Sequence, residues 1–320
     1  MRIFPLGIAT SVLAGLCNVA HAQSYPSKPV RLVVAFAAGG GTDVLARNLA
    51  NTLKDTLGQA LVIDNRPGAG TIIGTEAAAK SAPDGYTLLV SLDQSLTMNQ
   101  WLYEKLPYDP VKDFAPVSLL ANSSRLYVSN LKAPGANLRG LMDYAKANPG
   151  KLNYGSGAIS GQVVGEQILG ASGGRAQFIS YNGGAPALTA LLQGTIDFVI
   201  ADITTFAPGV RDGRLRGLAV SGPKRSAQLP DVPTLREAGF AELESQAWWG
   251  LFAPAGTPRP IIDRINFATV KAYDVAELRQ RIEATGSEPA TSTPDQVVER
   301  LQRDAQTWGA IIKRAGIKVN

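Results

Sequence analysis

Short apolar runs alternate along this chain with longer stretches in which apolar residues return every three or four positions. The first run, Val30–Phe36, predicts a strand, and its continuous apolar character is typical of a strand covered on both faces. A glycine turn follows at Gly39–Gly41. Beyond it, leucines four positions apart predict a helix that begins at Thr42 and ends at Gly58. Thr42 is the predicted cap of that helix, and Asp43 in its first turn suits the positive end of the helix dipole.

The same alternation of strand, turn and helix continues along the chain. In the first half we predict strands at Leu61–Asp64 and Thr87–Val90, separated by a helix over Ile72–Lys80. The second half repeats the pattern, with predicted strands at Leu152–Gly155, Gln177–Tyr181, Asp197–Ile200 and Leu215–Val220. Strands that alternate with helices at this spacing are βαβ units, so we predict parallel sheets with right-handed crossovers.

Two segments connect the halves of the chain. The proline-rich passage Leu106–Val117 leads into an apolar stretch that we interpret as the first crossing, and the apolar run Trp248–Pro254 is the predicted return. The predicted fold is therefore α/β with two lobes, each a mostly parallel sheet flanked by helices, joined by two crossing strands. Lobe 1 is predicted to comprise residues 23–122 with 247–320, and lobe 2 residues 123–246.

Composition and charge narrow the class of partner. The 320 residues include 31 Lys and Arg against 26 Asp and Glu, a net charge of +5, and 45% of them are hydrophobic. A sizeable core can therefore be buried. No run of five basic residues occurs, so we do not expect nucleic acid as a partner, although a mild basic bias suits acidic ligands.

The first 22 residues predict export. The apolar run Ile8–Val19 follows a positive charge and leads into Ala20-His21-Ala22, so we predict a signal peptide over residues 1–22, cleaved after Ala22. The alternatives are a membrane helix, for which the run is short, and a lipoprotein signal at Cys17, which lacks the small residue expected before the cysteine. No later segment is long and apolar enough to span a bilayer, so we do not expect a membrane-spanning protein.

Cleavage at this site would remove both the only cysteine, Cys17, and the only histidine, His21. The exported chain would then have no thiol and no imidazole, which excludes Ser-His-Asp and Cys-His catalysis and the common zinc sites. We therefore expect no enzyme activity, no cofactor and no metal. For the same reason we predict that ligand affinity is nearly flat between about pH 6 and 8.

The glycine-rich loops indicate an anion site and not a nucleotide site. A glycine turn that opens a helix presents unpaired N–H groups, which suit a carboxylate or a phosphate. The turn Gly39–Gly41 is followed by Val44 where a dinucleotide fingerprint needs its third glycine, and no GK[ST] phosphate loop occurs. The loop Gly157–Gly161 lacks the G-x-S-x-G spacing of a nucleophile elbow, so we interpret Ser160 as a donor to a ligand.

Eight segments between residue 30 and about residue 258 carry a family resemblance: VAFAAGGGTDVLAR, NRPGAG, APDGYTLL, LYEKLPYDPVKDFAPV, ANPGKLNYGS, GGAPALTALLQGTIDF, LPDVPTLREAG and WWGLFAPAGTP. With them the chain resembles the extracytoplasmic solute receptors, or Bug receptors, of the tripartite tricarboxylate transporter family. The resemblance implies a two-lobed periplasmic binding protein, a Venus flytrap, that closes around a small carboxylate and delivers it to a membrane transporter. It also implies that the loops matching Phe36–Asp43 and Ser156–Gly161 face each other and hold one carboxyl group through backbone groups, hydroxyls and water.

The chain departs from the family pattern on the ligand side. Alanines stand at Ala35, Ala37 and Ala38, where the family strand usually continues with prolines. The second-lobe loop is shorter than usual and continues with Gln162 and two valines, without the family's histidine. The resemblance therefore does not identify the acid, and dicarboxylates, tricarboxylates, amino acids and aromatic acids all stay open.

The residues and the resemblance together give a set of candidate ligand contacts at the carboxyl ends of the strands. Those in lobe 1 are Phe36, Gly39, Gly40, Gly41, Thr42, Asp43, Ser91 and Gln94. Those in lobe 2 are Ser156, Gly157, Ser160, Gln162, Tyr181 and Asp202. Asp43 has the alternative of serving only its own turn, and Tyr181 that of packing. Arg125 can pair with a second carboxylate or stay solvated, and Trp248 and Trp249 are expected to pack.

We therefore predict a periplasmic receptor, monomeric, whose partners are a small carboxylate and membrane transporter subunits. Two other interpretations stay open. One is an exported α/β hydrolase that uses carboxylates and bound metal. The other is a receptor that passes a signal to a sensor protein.

Overall fold

The computed structural model of the protein describes residues 25–181 and 183–319. The predicted signal peptide, with Cys17 and His21, lies outside the described residues. Within them the fold is α/β, a mixed sheet flanked by helices, as predicted. Among these residues, no helix combines the length and the apolar character needed to cross a bilayer.

The strands follow the predicted order, with additions around the crossings. In the described part of the chain they are β1 Val30–Val34, β2 Leu61–Asn65, β3 Thr87–Leu92, β4 Phe114–Asn130, β5 Leu152–Ser156, β6 Ala176–Ser180, β7 Phe198–Asp202, β8 Leu215–Val220, β9 Gln246–Pro254 and β10 Ser287–Pro289.

The helices fill the connections between these strands. They are α1 Gly41–Leu57, α2 Ile72–Ala79, α3 Gln94–Thr97, α4 Asn99–Leu102, α5 Leu138–Ala147, α6 Ile159–Ser172, α7 Gly184–Gln193, α8 Ile203–Arg211, α9 Arg259–Ala272, α10 Ala276–Ala284 and α11 Pro294–Ala315.

In the N-terminal half, β1 lies between β2 and β3 and is parallel to both. Val30 is opposite Leu61, and Leu32 is opposite Leu88. Alternate residues of β1 enter different apolar clusters, because Leu32 packs with α1 and α9 while Val33 packs on the other face of the sheet. This burial on both faces explains why the strand is a continuous apolar run.

The central part of the chain forms a second parallel unit. β5 lies between β6 and β7 and is parallel to both. Tyr154 of β5 stacks on Phe198 of β7, with ring centroids 5.2 Å apart and an interplanar angle of 12°. Both rings lie in an apolar cluster that also contains Val164 and Ile168 of α6.

β4 and β9 are the two strands that connect these units. β4 is a single strand of 17 residues. From Phe114 to Ser124 it pairs antiparallel with β9, and beyond Ser124 it pairs with β7 and β8. The last helix lies across this junction, because Trp248 of β9 donates a hydrogen bond to Asp304 of α11 at 2.8 Å. The predicted division into residues 23–122 with 247–320 and residues 123–246 stays a prediction.

One local prediction is wrong. α1 begins at Gly41, so Gly40 occupies the N-cap position and Thr42 lies within the first turn. The Thr42 hydroxyl accepts a hydrogen bond from the indole N–H of Trp249 at 2.8 Å and does not cap the helix. The other end of α1 is as predicted, since Gly58 has a φ of 77°, a left-handed conformation that favours glycine.

Candidate functional site

A cleft of about 400 Å³ lies where the carboxyl ends of β1, β3, β5 and β7 meet. This is the position at which open α/β sheets place ligands. The N-terminal half and β9 contribute Phe36, Ala37, Gly40, Gly41, Thr42, Leu92, Gln94, Ala247 and Trp249. The central part contributes Ser156, Gly157, Ala158, Ser160, Gly161, Gly183, Gly184, Ile200, Ala201, Asp202, Thr205 and Phe206, and Arg125 lies on β4 between the two sets.

Four helices begin at the wall of this cleft. The N-cap residues of α1, α6, α7 and α8 are Gly40, Ala158, Gly183 and Asp202, and none of them caps its helix through a side chain. Side chains therefore leave the first-turn N–H groups of these helices available for other partners. Since each helix N-terminus carries roughly half a positive charge, the wall favours an anionic ligand.

Asp43 holds the first glycine loop in place. The residue is 2% exposed, and its Oδ2 accepts hydrogen bonds from the N–H of Gly39 and from Nε of Arg47, both at 2.8 Å. Its Oδ1 accepts one from Asn65 at 2.9 Å, and Asn65 also donates to the carbonyl of Phe36 at 3.1 Å. Burial by itself raises the pKa of Asp43, but the bonds from Arg47, Gly39 and Asn65 outweigh it and lower that pKa to about 2. The carboxylate therefore stays ionised and connects the glycine loop to α1 and β2 through hydrogen bonds.

The second glycine loop is shaped by close backbone approaches. Ser156 donates to the carbonyl of Ile200 at 3.3 Å and accepts from the N–H of Ala158 at 3.2 Å. A Cβ at Gly161 would lie 2.0 Å from the Ser156 hydroxyl, and a Cβ at Gly157 would lie 2.2 Å from the backbone of the loop before α7. Glycine is therefore required at Gly157 for the loops before α6 and α7 to lie side by side, and at Gly161 for α6 to begin against the ends of β5 and β7.

Arg125 is a buried cation at the floor of the cleft. The residue is 4% exposed, and neither Nη nitrogen has a hydrogen-bond partner among the described residues. Its guanidinium carbon lies 5.9 Å from the ring of Trp308 on α11. A buried guanidinium without partners is costly unless nearby negative charge compensates it.

Two aspartates lie close enough to Arg125 to interact with its charge. Asp202 is the residue opposite Arg125 in the antiparallel pairing of β4 with β7, and its side chain remains open to the cleft. Desolvation raises the pKa of Asp202, and the charge of Arg125 partly opposes the increase. Asp93, which precedes Gln94 of the cleft wall, is 1% exposed, and burial raises its pKa to about 6 against the opposing charge of Arg125.

The structure brings most of the predicted contacts together at the cleft. Those that line it are Phe36, Gly40, Gly41, Thr42, Gln94, Ser156, Gly157, Ser160 and Asp202. Those that do not are Gly39, Asp43, Ser91, Gln162 and Tyr181. Gly39 donates to Asp43 behind the loop, Ser91 is fully buried, and Tyr181 lies against Gly155 in the core of the second unit. Contact with a ligand stays a prediction for the whole set.

Several lining residues were not in the predicted set. Gly183 and Gly184 belong to the Asn-Gly-Gly turn after β6, a glycine turn before a helix of the kind that marked the first loop. Thr205 lies in the first turn of α8, one strand further along. These residues could have been found by treating every strand-to-helix turn alike. Trp249 could not, because an aromatic residue in a strand usually packs.

No metal centre is evident in the described ranges. Across residues 25–181 and 183–319, no three His, Cys, Asp or Glu side chains come together in a way that could hold a metal ion. The cleft itself contains hydroxyls, backbone N–H groups, one accessible carboxylate and one buried guanidinium. This set can bind and orient an ionic ligand.

Comparison with known proteins places the chain among solute receptors. A family model described as "Tripartite tricarboxylate transporter family receptor" matches residues 45–317. Protein BugT of Bordetella pertussis is 35% identical over 322 residues, covering 100% of this chain and 98% of that protein. R. palustris Rpa4515 with adipate is similar at a TM-score of 0.81 and 31% identity, covering 92% of this chain and 100% of that one. MatC from Rhodopseudomonas palustris with bound malate is similar at a TM-score of 0.77 and 31% identity, covering 90% of this chain and 100% of that one.

The fold and the cleft together define a two-lobed binding protein of the periplasmic type. The chain belongs to the tripartite tricarboxylate transporter receptor family and is a Bug-type solute receptor within it. Both the predicted fold class and the family resemblance are therefore confirmed.

Proposed function

We propose that this receptor captures a small organic carboxylate in the periplasm and delivers it to the subunits of a membrane transporter. The observation that carries the proposal is the arrangement of four helix N-termini, none capped by a side chain, around one cleft. A carboxylate placed there accepts hydrogen bonds from backbone N–H groups and lies at the positive ends of the helix dipoles.

Both sides of the cleft supply groups for such a carboxylate. Gly41 and Thr42 lie in the first turn of α1, and Ser160 lies in the first turn of α6. A ligand that contacts both turns at once favours the closed arrangement of the lobes over the open one, because only the closed state makes all the contacts. Closure then presents a changed surface to the transporter.

The relatives support this ligand class. Rpa4515 has a structure with adipate and MatC one with bound malate, and both are dicarboxylic acids of a size that suits a cleft of about 400 Å³. The identity of about 31% to each leaves room for a different side chain at the distal end of the ligand.

We propose that the receptor performs no covalent chemistry and works as a monomer. The segment from residue 23 onward contains neither histidine nor cysteine, so general-base catalysis would have to depend on carboxylates alone. The exported hydrolase is the alternative. A bound acid recovered chemically unchanged after long incubation would support the receptor, and a modified one would support the hydrolase.

A thermal-shift screen tests the proposal. The exported chain, residues 23–320, is heated with a panel of small carboxylic acids and with their matched amides. At about 100 times its dissociation constant, an acid should stabilise the folded state by about 2.7 kcal/mol and raise the midpoint, while its amide should not. Equal shifts with an acid and its amide, or no shift with any acid, would contradict the proposal.

A further inference from the structure

The two neighbouring tryptophans of β9 lie on opposite faces of the sheet. Trp248 is fully buried and donates its indole N–H to Asp304 of α11 at 2.8 Å. Trp249 is only partly buried, lines the cleft and packs against the apolar cluster that contains α1. Its indole N–H donates to the hydroxyl of Thr42 at 2.8 Å. Trp249 therefore connects a crossing strand to the first turn of α1 at the wall of the cleft.

Thr42 does not use its hydroxyl as the other threonines of α1 do. Thr52 donates to the carbonyl of Asn48 at 3.2 Å, and Thr56 donates to the carbonyl of Leu53 at 3.1 Å. Such donation to a carbonyl three or four residues earlier is usual for threonine inside a helix. The residues three and four positions before Thr42 belong to the glycine loop, and its hydroxyl donates to no acceptor among the described residues.

The indole N–H decides which way the Thr42 hydroxyl faces. A hydroxyl has one O–H donor and two acceptor lone pairs, whereas an indole N–H can only donate. One lone pair of Thr42 must therefore point at Trp249, and the O–H must point elsewhere. Because Thr42 is 5% exposed and lines the cleft, the cleft is where an acceptor for its proton can approach.

We propose that Trp249 is a positioning residue that fixes the Thr42 hydroxyl as a hydrogen-bond donor to the ligand carboxylate. The inference rests on the proposed function and deepens it. An ionised carboxylate only accepts hydrogen bonds, so a hydroxyl held as a donor beside the N–H groups of α1 matches it without first having to turn. Holding the donor in place before the ligand arrives reduces the entropy that is lost on binding.

The hydrogen bond itself is tested without a ligand. The chain contains four tryptophans, so a proton–nitrogen correlation spectrum of the exported chain should show four indole N–H signals, and the signal lost in Trp249→Phe is that of Trp249. Thr42→Val keeps the shape of the side chain but has no hydroxyl. In this variant the Trp249 signal should move upfield, because a hydrogen-bonded proton is deshielded, and the proton should exchange faster with solvent. An unchanged signal would overturn the inference.

Isothermal titration calorimetry then tests the effect on binding. The probes are succinate, malate, adipate, glutamate and benzoate, and the acid that binds the wild type most tightly is measured with the variants. Thr42→Val should weaken binding by about tenfold or more, as expected for the loss of a hydrogen bond to a charged group. Thr42→Ser keeps the hydroxyl and should retain most of the affinity.

A double-mutant cycle shows whether Trp249 acts through Thr42. Trp249→Phe removes the indole N–H and keeps an aromatic ring, and by itself it should weaken binding by about threefold or more. In the Thr42→Val background the same substitution should cost no further affinity, because the hydroxyl that it positions is already gone.

Trp101→Phe is the matched control. Trp101 is also partly buried and also donates its indole N–H, to the carbonyl of Ala305 at 2.9 Å, but it does not line the cleft. Its replacement should leave the affinity for the acid unchanged.

The outcomes separate this inference from the proposed function. If Trp249→Phe costs as much affinity without the Thr42 hydroxyl as with it, the ring contacts the ligand or only supports the fold, and the inference is wrong while the carboxylate receptor stands. The inference is equally wrong if Trp249→Phe or Thr42→Val binds the acid as tightly as the wild type. If none of the acids binds the wild type, the proposed function fails and the inference fails with it.

Discussion

At the residue scale, the cleft depends on charged side chains that lie behind its surface. Asp43 shows this most clearly, because its carboxylate contacts the loop before α1, the helix itself and β2, and it does not line the cleft. The sequence left two roles open for this residue, contact with the ligand or hydrogen bonding within its own turn. In the structure both carboxylate oxygens of Asp43 accept hydrogen bonds from the protein.

Asp43→Ala should therefore weaken both the fold and the site. Its removal leaves the N–H of Gly39 and the amide of Asn65 without their acceptor, and we expect a loss of about 2 kcal/mol in the free energy of unfolding in urea. Carboxylate affinity should fall as well, although Asp43 makes no contact with the ligand. Asp55→Ala, on an exposed turn of the same helix, should change stability by less than about 0.5 kcal/mol. Equal stability of the Asp43 and Asp55 variants would contradict the stabilising role of the Asp43 hydrogen bonds.

Asp93 gives the protein a predictable dependence on pH. Its pKa is raised from 3.8 to about 6, by burial first, with Arg125 and Arg300 opposing and Asp304 reinforcing the increase. Because the folded state holds a proton that the unfolded chain releases, the stabilisation is present below about pH 4 and is lost as the pH rises through 6. The wild type should lose about 2 kcal/mol relative to Asp93→Asn between about pH 4 and pH 7.

Urea denaturation at several pH values measures this difference. Asp212→Asn, a substitution at an exposed position, should show no pH-dependent difference in stability from the wild type. A constant difference in stability between the wild type and Asp93→Asn across the range would contradict the assignment. The flat ligand affinity expected between about pH 6 and 8 stays a prediction, and any departure from it due to Asp93 belongs at the lower end of that range.

At the element scale, the helix N-termini define the site. Ala158 shows how a cap residue can serve the ligand, since it holds the extended N-cap conformation of α6 with no side chain to occupy the first-turn N–H groups. A better cap at this position would stabilise the helix and compete with the ligand.

Ala158→Asp should therefore change stability and binding in opposite directions. The new carboxylate caps α6, which raises the free energy of unfolding by about 1 kcal/mol. It also places a negative charge where the ligand carboxylate is expected, so affinity measured by calorimetry should fall by about tenfold or more. Ala158→Asn caps without charge and should retain more affinity. If Ala158→Asp bound as tightly as the wild type, the ligand carboxylate could not lie at α6.

Some strands could be located from the sequence and others could not. Parallel strands buried on both faces, such as β1, are continuous apolar runs and were located to within two residues. β4 was not recognised as one long strand, because Pro116, Ser118 and the segment Ser123–Arg125 break its apolar pattern. These polar side chains of β4 are buried or partly buried at the junction of the two units, so hydrophobicity alone misjudged their location.

The short helices α3 and α4 were missed for a related reason. They carry buried polar residues that bond to the turn before α2: Ser95 lies 2.7 Å from the hydroxyl of Thr71, and Asn99 donates to the carbonyl of Gly70. Such a network depends on segments distant in the chain, which no local pattern reveals. Solvation, one of the two expectations for Arg125, is wrong, because the packing of α11 and β7 against β4 buries the residue.

At the scale of the whole molecule, a ligand held by both lobes requires movement between them. β4 and β9 lie side by side at the junction. The contacts that bridge the predicted lobes nearby include a hydrogen bond of 3.0 Å from Thr204 to the carbonyl of Thr285 and an ion pair of 3.5 Å between Lys224 and Glu288. We expect closure to be a hinge rotation about these strands. Small-angle X-ray scattering should show a smaller radius of gyration with the bound acid than without it, and no change with the matched amide. An unchanged radius with saturating acid would contradict closure.

The central claim is that one carboxylate is held between the N-termini of helices from both lobes. A crystal structure of the exported chain with the acid chosen by the thermal-shift screen tests it most directly. We expect a ligand carboxylate with its oxygens about 2.7–3.2 Å from backbone N–H groups in the first turns of α1 and α6. A ligand bound outside this cleft, or bound in it with its carboxylate away from both helix N-termini, would contradict this binding mode.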